Sequence, residues 1–324
     1  MIVNFHQGRL TINIKEKRGV TIDMFKFLKK KTSLIFVLVL SLVLVACGDA
    51  GNGATDDQEV DENIGETDLE LVYVEWDTEV ASTHVIAHVL EEQGYNVDRT
   101  PIDNAIMWEA VANGDADGMV AAWLPGTHGN LYDEYHEDMD HLGVNLEGAK
   151  IGLVVPEYME DVNSISDLND FTDEFNGSII GIEPGAGVVQ AAERSLDEYE
   201  LEGWSVDTSS SGAMATTLRQ TYTSEEPIVV TGWSPHWKFA EFDLKYLEDD
   251  LGTFGDAETI DTFVRFGLEE DSPLAYEILD NFYWDSDDME EVMLDISEGT
   301  DPHDAAEAWV EANRDKVDEW IPAE

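Results

Sequence analysis

Three tryptophans stand beside small, turn-forming or charged residues rather than inside an apolar run: Trp76 in VEWDTE, Trp123 in AAWLPGTH and Trp233 in VTGWSPHW. Each follows a short apolar, β-like stretch, so each is expected near the exposed end of a strand. Indole faces gathered in a cleft attract a cation that has no hydrogen to donate, and a quaternary ammonium is such a cation. Taken singly, each is equally readable as a core residue, because tryptophan is mostly buried in any fold. The other six (Trp108, Trp204, Trp237, Trp284, Trp309 and Trp320) are read that way.

A partner for the anionic end of a zwitterion is also visible. Glu183-Pro184-Gly185-Ala186-Gly187-Val188 is a glycine-rich turn feeding a helix. Free N–H groups and the dipole at a helix N-terminus suit a carboxylate, although the same turn also serves as an ordinary strand-to-helix connection. His128 lies five residues after Trp123, past a Pro-Gly turn, and could donate to a carboxylate oxygen. His236, three residues after Trp233, is a lesser candidate for that role. Ser209-Ser210-Ser211-Gly212 reads better as a helix cap than as a second anion nest. His136 and His141, in HEDMDH, match no common zinc spacing and are read as an exposed helix. Glu75, Asp77 and Glu79 surround Trp76, either as negative charge at a cleft mouth or as a solvated loop. The sequence contains no GxSxG, HExxH or Walker-type motif. No catalytic residue, metal or cofactor is therefore assigned, and capture rather than catalysis is expected.

The elements that would hold these residues alternate. Residues 69–75 read as a strand, 79–93 as a helix, Tyr95–Pro101 as a strand, 104–113 as a helix and 115–123 as a strand. A second series follows, with strands at 150–155, 178–183 and 227–231 and helices from Val188 to about Tyr199 and over 212–221. Helical spacing returns at 273–282, 287–297 and 303–319. Two βαβ series imply an α/β fold with two lobes and a ligand cleft at the carboxyl ends of the strands, where the three tryptophans and the PGAG turn fall. The expected division is lobe I at 68–149 plus about 240–324, and lobe II at 150–239.

The N-terminus reads as an export signal. Residues 26–31 are basic, residues 33–46 are apolar, and Cys47, the only cysteine, follows at once. The apolar stretch is too short for a comfortable membrane span. Leu44-Val45-Ala46-Cys47 resembles a bacterial lipobox, which implies cleavage of residues 1–46 and lipidation of Cys47, hence a membrane anchor. Met24 precedes the basic run and is a candidate true start. Residues 48–67 are Gly/Asp/Asn/Glu-rich and are expected to form a flexible tether.

Charge narrows the partners. The chain holds 17 Lys+Arg and 71 Asp+Glu; residues 1–46 carry 8 and 2 of these, leaving 9 against 69, a net of −60. Nucleic acid is excluded as a partner, because binding it rests on neutralising phosphates. The acidic residues are scattered rather than blocked, the pattern of a solvated surface in a salt-rich medium that screens self-repulsion.

Four stretches, YVEWDTEVAS (73–82), VANGDADGMVAAWLPGTH (111–128), GIEPGAG (181–187) and VVTGWSPHW (229–237), resemble the substrate-binding lipoproteins of glycine betaine ABC importers over roughly 68–285. The resemblance implies a two-lobed periplasmic-binding-protein-like (type II) α/β fold on the outer side of the membrane, closing on a small quaternary ammonium ligand and delivering it to an ABC permease. It also implies that Trp76, Trp123 and Trp233 box the trimethylammonium group, and that Gly187 and Val188 amides with His128 hold the carboxylate. Two other readings stay open: a choline or carnitine binder of the same fold, and a surface lipoprotein without a small ligand.

Overall fold

In the computed structural model, Ile2–His6, Arg9–Asn13 and residues 64–323 are described. The basic run, the apolar stretch, Met24 and Cys47 lie outside the described residues. Strands β1 (Ile2–His6) and β2 (Arg9–Asn13) pair antiparallel.

From residue 64 the alternating series appears. β3 (Asp68–Tyr73), α1 (Asp77–Glu92), β4 (Asn96–Pro101), α2 (Asn104–Asn113), β5 (Gly118–Leu124) and α3 (Gly129–Tyr135) lead into β6, a strand of 18 residues from Met139 to Pro156. β7 (Ser178–Gly181), α4 (Gly187–Glu198), β8 (Ser205–Thr208), α5 (Ser211–Thr223), β9 (Val230–Ser234), α6 (Lys238–Glu241) and β10 (Leu244–Tyr246) follow. The chain finishes with β11 (Glu258–Arg265), α7 (Leu268–Asp271), α8 (Pro273–Asn281), α9 (Ser286–Ser297), α10 (Pro302–Ala312) and α11 (Arg314–Val317).

β6 serves two groups of strands. Its first part, Met139–Ala149, pairs antiparallel with β11, which pairs antiparallel with β5; β3 then lies parallel to β5 and β4. Its second part, Lys150–Pro156, pairs antiparallel with β9 and β10, and β7 and β8 continue parallel to β9. We call the first group lobe I and the second lobe II. β6 also shows that His141 lies on a strand, where its Nε2 sits 2.7 Å from Asp261, and not on the exposed helix expected for HEDMDH. A strand that runs on with glycines at 143, 148 and 152 lacks the clean two-residue alternation by which strands are recognised.

The crossing back to lobe I also falls later than about residue 240. Leu244–Tyr246 pair with β6 in lobe II, and the Asp249 carboxylate accepts the Tyr199 hydroxyl at 2.6 Å, so the return comes with β11. The end of the expected tether is likewise held. Glu66 N–H donates to Asp271 O at 2.7 Å, and the Tyr95 hydroxyl donates to Ile64 O at 2.7 Å.

α1 is the central element of lobe I. Its apolar residues Val85, Ile86, Val89 and Leu90 are fully buried, and it packs on β3, β4, β5 and the C-terminal helices α9 and α10. Gly114, at φ +71, takes the left-handed cap that stops α2 as the Asn-Gly pair foretold. Trp284, Trp309 and Trp320 form one aromatic stack, with Trp284 edge-on to Trp309 at 5.6 Å and Trp309 parallel to Trp320 at 6.1 Å. Burying one such ring removes on the order of 200 Å² from water, about 5 kcal/mol of gross stabilisation. Trp108 and Trp204, also read as core, are buried too. Trp237 is buried as well, but has a further role described below.

Candidate functional site

Trp76 is the N-cap residue of α1, directly after β3. Trp123 lies on β5 opposite Ile260, and Trp233 lies on β9 opposite Ile151. Gly187 and Val188 open α4. These five residues come together. Trp76, Trp123, Trp233, Ile151, Ile182, Thr127 and Ala186–Val188 line one apolar cavity. Lobe I supplies Trp76, Trp123 and Thr127; lobe II supplies the rest. The three indoles are only 2–5% exposed, so the lobes are closed around them.

The start of α4 is bare. The N-cap of α4 is Ala186, which has no side-chain acceptor for the first-turn N–H groups. Gly185, at φ +94, makes the turn, and a Cβ on Gly187 would lie 2.5 Å from Thr127 O of the facing lobe. Only glycine fits there, because the two backbones nearly touch.

His128 is fully buried but does not line the cavity wall. Its Nδ1 accepts the Trp123 backbone N–H at 2.9 Å, which puts the proton of the neutral ring on Nε2. Nε2 has no partner, so a buried donor remains next to Thr127. Burial pushes the His128 pKa down to about 3, which keeps the ring neutral at ordinary pH. The ring stacks on Trp76 at 5.7 Å and meets Trp108 edge-on at the same distance. The turn carrying it is clamped by Glu258 of β11, whose carboxylate accepts Gly126 N–H at 2.7 Å, Thr127 N–H at 2.6 Å and the Thr127 hydroxyl at 2.6 Å.

The acidic residues around Trp76 have distinct places. Glu75 is exposed, as on a solvated loop. Glu79 is buried and accepts the Trp123 indole N–H at 2.6 Å and the Thr78 hydroxyl. Burial, helped by the charge of Asp77, pushes its pKa up to about 7 against those hydrogen bonds. Asp77 receives groups from lobe II: the Trp237 indole N–H donates at 2.6 Å and the Ser211 hydroxyl at 3.1 Å, while His236 Nε2 lies 3.4 Å away. Burial would raise the Asp77 pKa, but the His236 contact, the Trp237 hydrogen bond and the Lys238 charge more than offset it and hold it well below the carboxylate range. Trp76 adds a further bond between lobes, its indole N–H donating to Glu183.

His236 is therefore turned to Asp77. Its Nδ1 accepts Lys238 N–H at 3.2 Å, and burial lowers its pKa to about 4. Ser210 caps α5 by accepting Ala213 N–H at 3.2 Å, the capping role expected for the serine run. Asp77, Trp237 and Glu258 were not singled out for these contacts by sequence reasoning. Their partners lie 134 to 160 residues away for Asp77 and 131 to 132 for Glu258, and no spacing rule reaches that far.

A family model described as the substrate binding domain of ABC-type glycine betaine transport systems matches residues 67–312. The glycine betaine/carnitine transport binding protein GbuC of Listeria monocytogenes is 47% identical over 153 residues, 47% of this chain and 51% of that protein, so the match spans about half the relative's length. The solved structure of lactococcal OpuAC, closed and complexed with glycine betaine, is 49% identical with a TM-score of 0.75, covering 79% of this chain and 100% of that one. A choline binding protein of an ABC transporter, in complex with choline, is 28% identical with a TM-score of 0.72, covering 78% of this chain and 91% of that one. These neighbours have the two-lobed periplasmic-binding-protein fold, and the strand pairing above is of that kind. The chain belongs to the family of substrate-binding domains of ABC-type glycine betaine transport systems.

Proposed function

We propose that this protein captures glycine betaine outside the cytoplasm and hands it to an ABC permease, without chemical change to the ligand. The observation that carries the reading is the meeting of Trp76, Trp123 and Trp233 with the uncapped start of α4 in one apolar cavity. The trimethylammonium group sits among the three ring faces, where each desolvated contact contributes on the order of 2 kcal/mol. The carboxylate takes the Gly187 and Val188 amides and the Nε2–H of His128. A trimethyl cation is bulky and weakly hydrated, so rings alone select it over an ammonium that would miss its hydrogen bonds to water.

Closure follows from the placement of the ligand's partners on two lobes. Bound ligand draws the tryptophans of both lobes onto one cation, and Asp77 then engages Trp237 and Ser211. The permease reads the closed form. The lobes are taken as 68–149 with the C-terminal stretch and 150–239 with the segment through β10. Lipidation at Cys47 and a tether from residue 48 complete the reading, with residues 1–46 removed.

The test is a tryptophan-fluorescence titration in molar salt with glycine betaine and with choline, beside Trp123→Ala. A saturable betaine response that vanishes in the variant supports the cage. A strong choline response with a flat betaine trace keeps the fold and changes the ligand, a reading favoured by the choline-binding neighbour and the protein's negative field. Two flat traces from folded protein move the reading to a surface lipoprotein without a small ligand.

A further inference from the structure

The other end of α1 carries a cluster that betaine binding does not use. His88 and Glu91, three residues apart, share one face of α1 and meet His303 at the start of α10. One ligand atom from each lies within 4.8 Å of the others, and all three residues are half-buried. Among the described residues this is the one such group of histidine and carboxylate ligands. His88 is twelve residues from Trp76, roughly 18 Å along the helix, so the cluster is remote from the cage.

A second observation points to a ligand. Nδ1 of His88 and Nδ1 of His303 are buried without a hydrogen-bond partner, and so is Nδ1 of His84, one turn earlier on the same helix. Buried imidazole nitrogens are ordinarily satisfied. The His88 and His303 rings lie 5.6 Å apart at 64°, edge-on to one another. The surroundings hold the donors in place: Asp301 caps α10 by accepting His303 N–H at 3.0 Å, and Arg99 fixes Glu91 at 2.8 Å through one carboxylate oxygen. A carboxylate has a second oxygen to offer.

We infer that His88, Glu91 and His303 form a transition-metal site that fastens α10 to α1. Two imidazoles and a carboxylate are a borderline donor set that suits Zn²⁺, Co²⁺ or Ni²⁺. Ca²⁺ and Mg²⁺ demand mostly oxygen ligands and are disfavoured, which separates this site from casual binding on an acidic surface. The fourth position is open to water. An ion here crosslinks the first helix of the domain to its C-terminal layer and raises stability by mass action.

The test uses the full chain carrying Cys47→Ser, which removes the only thiol, stripped with a chelator and titrated with Co²⁺ in molar NaCl containing excess Mg²⁺. The expected result is a saturable visible d–d absorption, displaced by Zn²⁺, with a raised thermal midpoint. Both effects are lost in His88→Ala and in His303→Ala, while the midpoint in chelator stays near that of the parent. If either alanine variant fails to fold, Glu91→Gln decides by the same readout. No absorption band, a band removed by Mg²⁺, or a band that survives in the folded variants overturns the site.

Discussion

Trp123 and Trp233 occupy the same local sequence, Trp-x-Pro, at the end of a strand, and both X–Pro bonds are cis. Their surroundings are opposite in charge. The Trp123 indole N–H donates to the buried Glu79 carboxylate. The Trp233 indole N–H has no partner, and the buried ammonium of Lys238 lies over its ring, 4.1 Å from the centroid. A negative group on the indole N–H enriches the ring that faces a cation, whereas a resident ammonium occupies one ring face and draws on the same quadrupole. In the proposed cage lobe I supplies two rings and lobe II one, and electrostatics makes Trp123 a stronger partner for a cation than Trp233. In the proposed site lobe II contributes in another way, by supplying the α4 amides and the groups that engage Asp77.

The widest gap should appear in the cage itself. Trp123→Ala is expected to weaken betaine binding by about 3 kcal/mol, on the order of 100-fold, through lost cation–π contact and a stranded Glu79. Trp233→Ala should cost clearly less. Equal losses by isothermal titration would remove the distinction between the two halves.

The pH dependence of stability should differ in sense between the halves. The Glu79 pKa is about 7 when folded against an ordinary 4.5, so the folded protein loses stability as pH rises from 4.5 to about 7. Glu79→Gln removes that loss, and its advantage over the parent should grow across that window to about 3 kcal/mol and then level off. Burial lowers the Lys238 pKa to about 7 from 10.5, against the attraction of Asp77, so its cost is fully present below pH 7 and fades toward 10.5. Lys238→Met, of similar length, should therefore be stabilising at pH 6 and lose its advantage as pH climbs through that range. Denaturant melts from pH 4 to 10 check both, and a pH-independent difference for either variant contradicts its assignment.

Asp77→Asn should weaken betaine and choline alike, by about tenfold, since it loosens contacts between lobes and touches neither end of the ligand. An unchanged affinity would show that closure does not draw on Asp77. The smallest effect is expected for His128→Ala: a several-fold loss for betaine with choline nearly unaffected, because only betaine has a carboxylate for Nε2–H to meet. A parallel loss for both ligands would assign His128 to supporting Trp76, on which it stacks.

Much of the site was legible because its signals are local. A tryptophan after a β-like run marks a strand end, and a glycine-rich turn before a helical stretch marks an uncapped N-terminus. The α1 stripe of Val80, Val85, Ile86, Val89 and Leu90 follows helical period; the last four are buried together and Val80 is half-buried. β11 was not legible: its eight residues, ETIDTFVR, mix charge with apolar positions because the strand lies centrally between β5 and β6 and is bulged against both. Glu79 could not be told from a solvated acid among the chain's 71 acidic residues, since its role depends on an indole 44 residues away.

By itself, then, the sequence marked Trp76, Trp123, Trp233, Gly187 and Val188, which line the cavity, together with His128, which does not, and it passed over Thr127, Ile151 and Ile182. Strand ends, a turn that only glycine can make and helix periodicity are consequences of covalent geometry acting over a few residues. The tertiary structure decided what stands behind each ring. Whether an indole N–H meets a carboxylate or a ring face meets a lysine is set when distant segments pack, and the low dielectric of that packed interior is what gives those charges their weight.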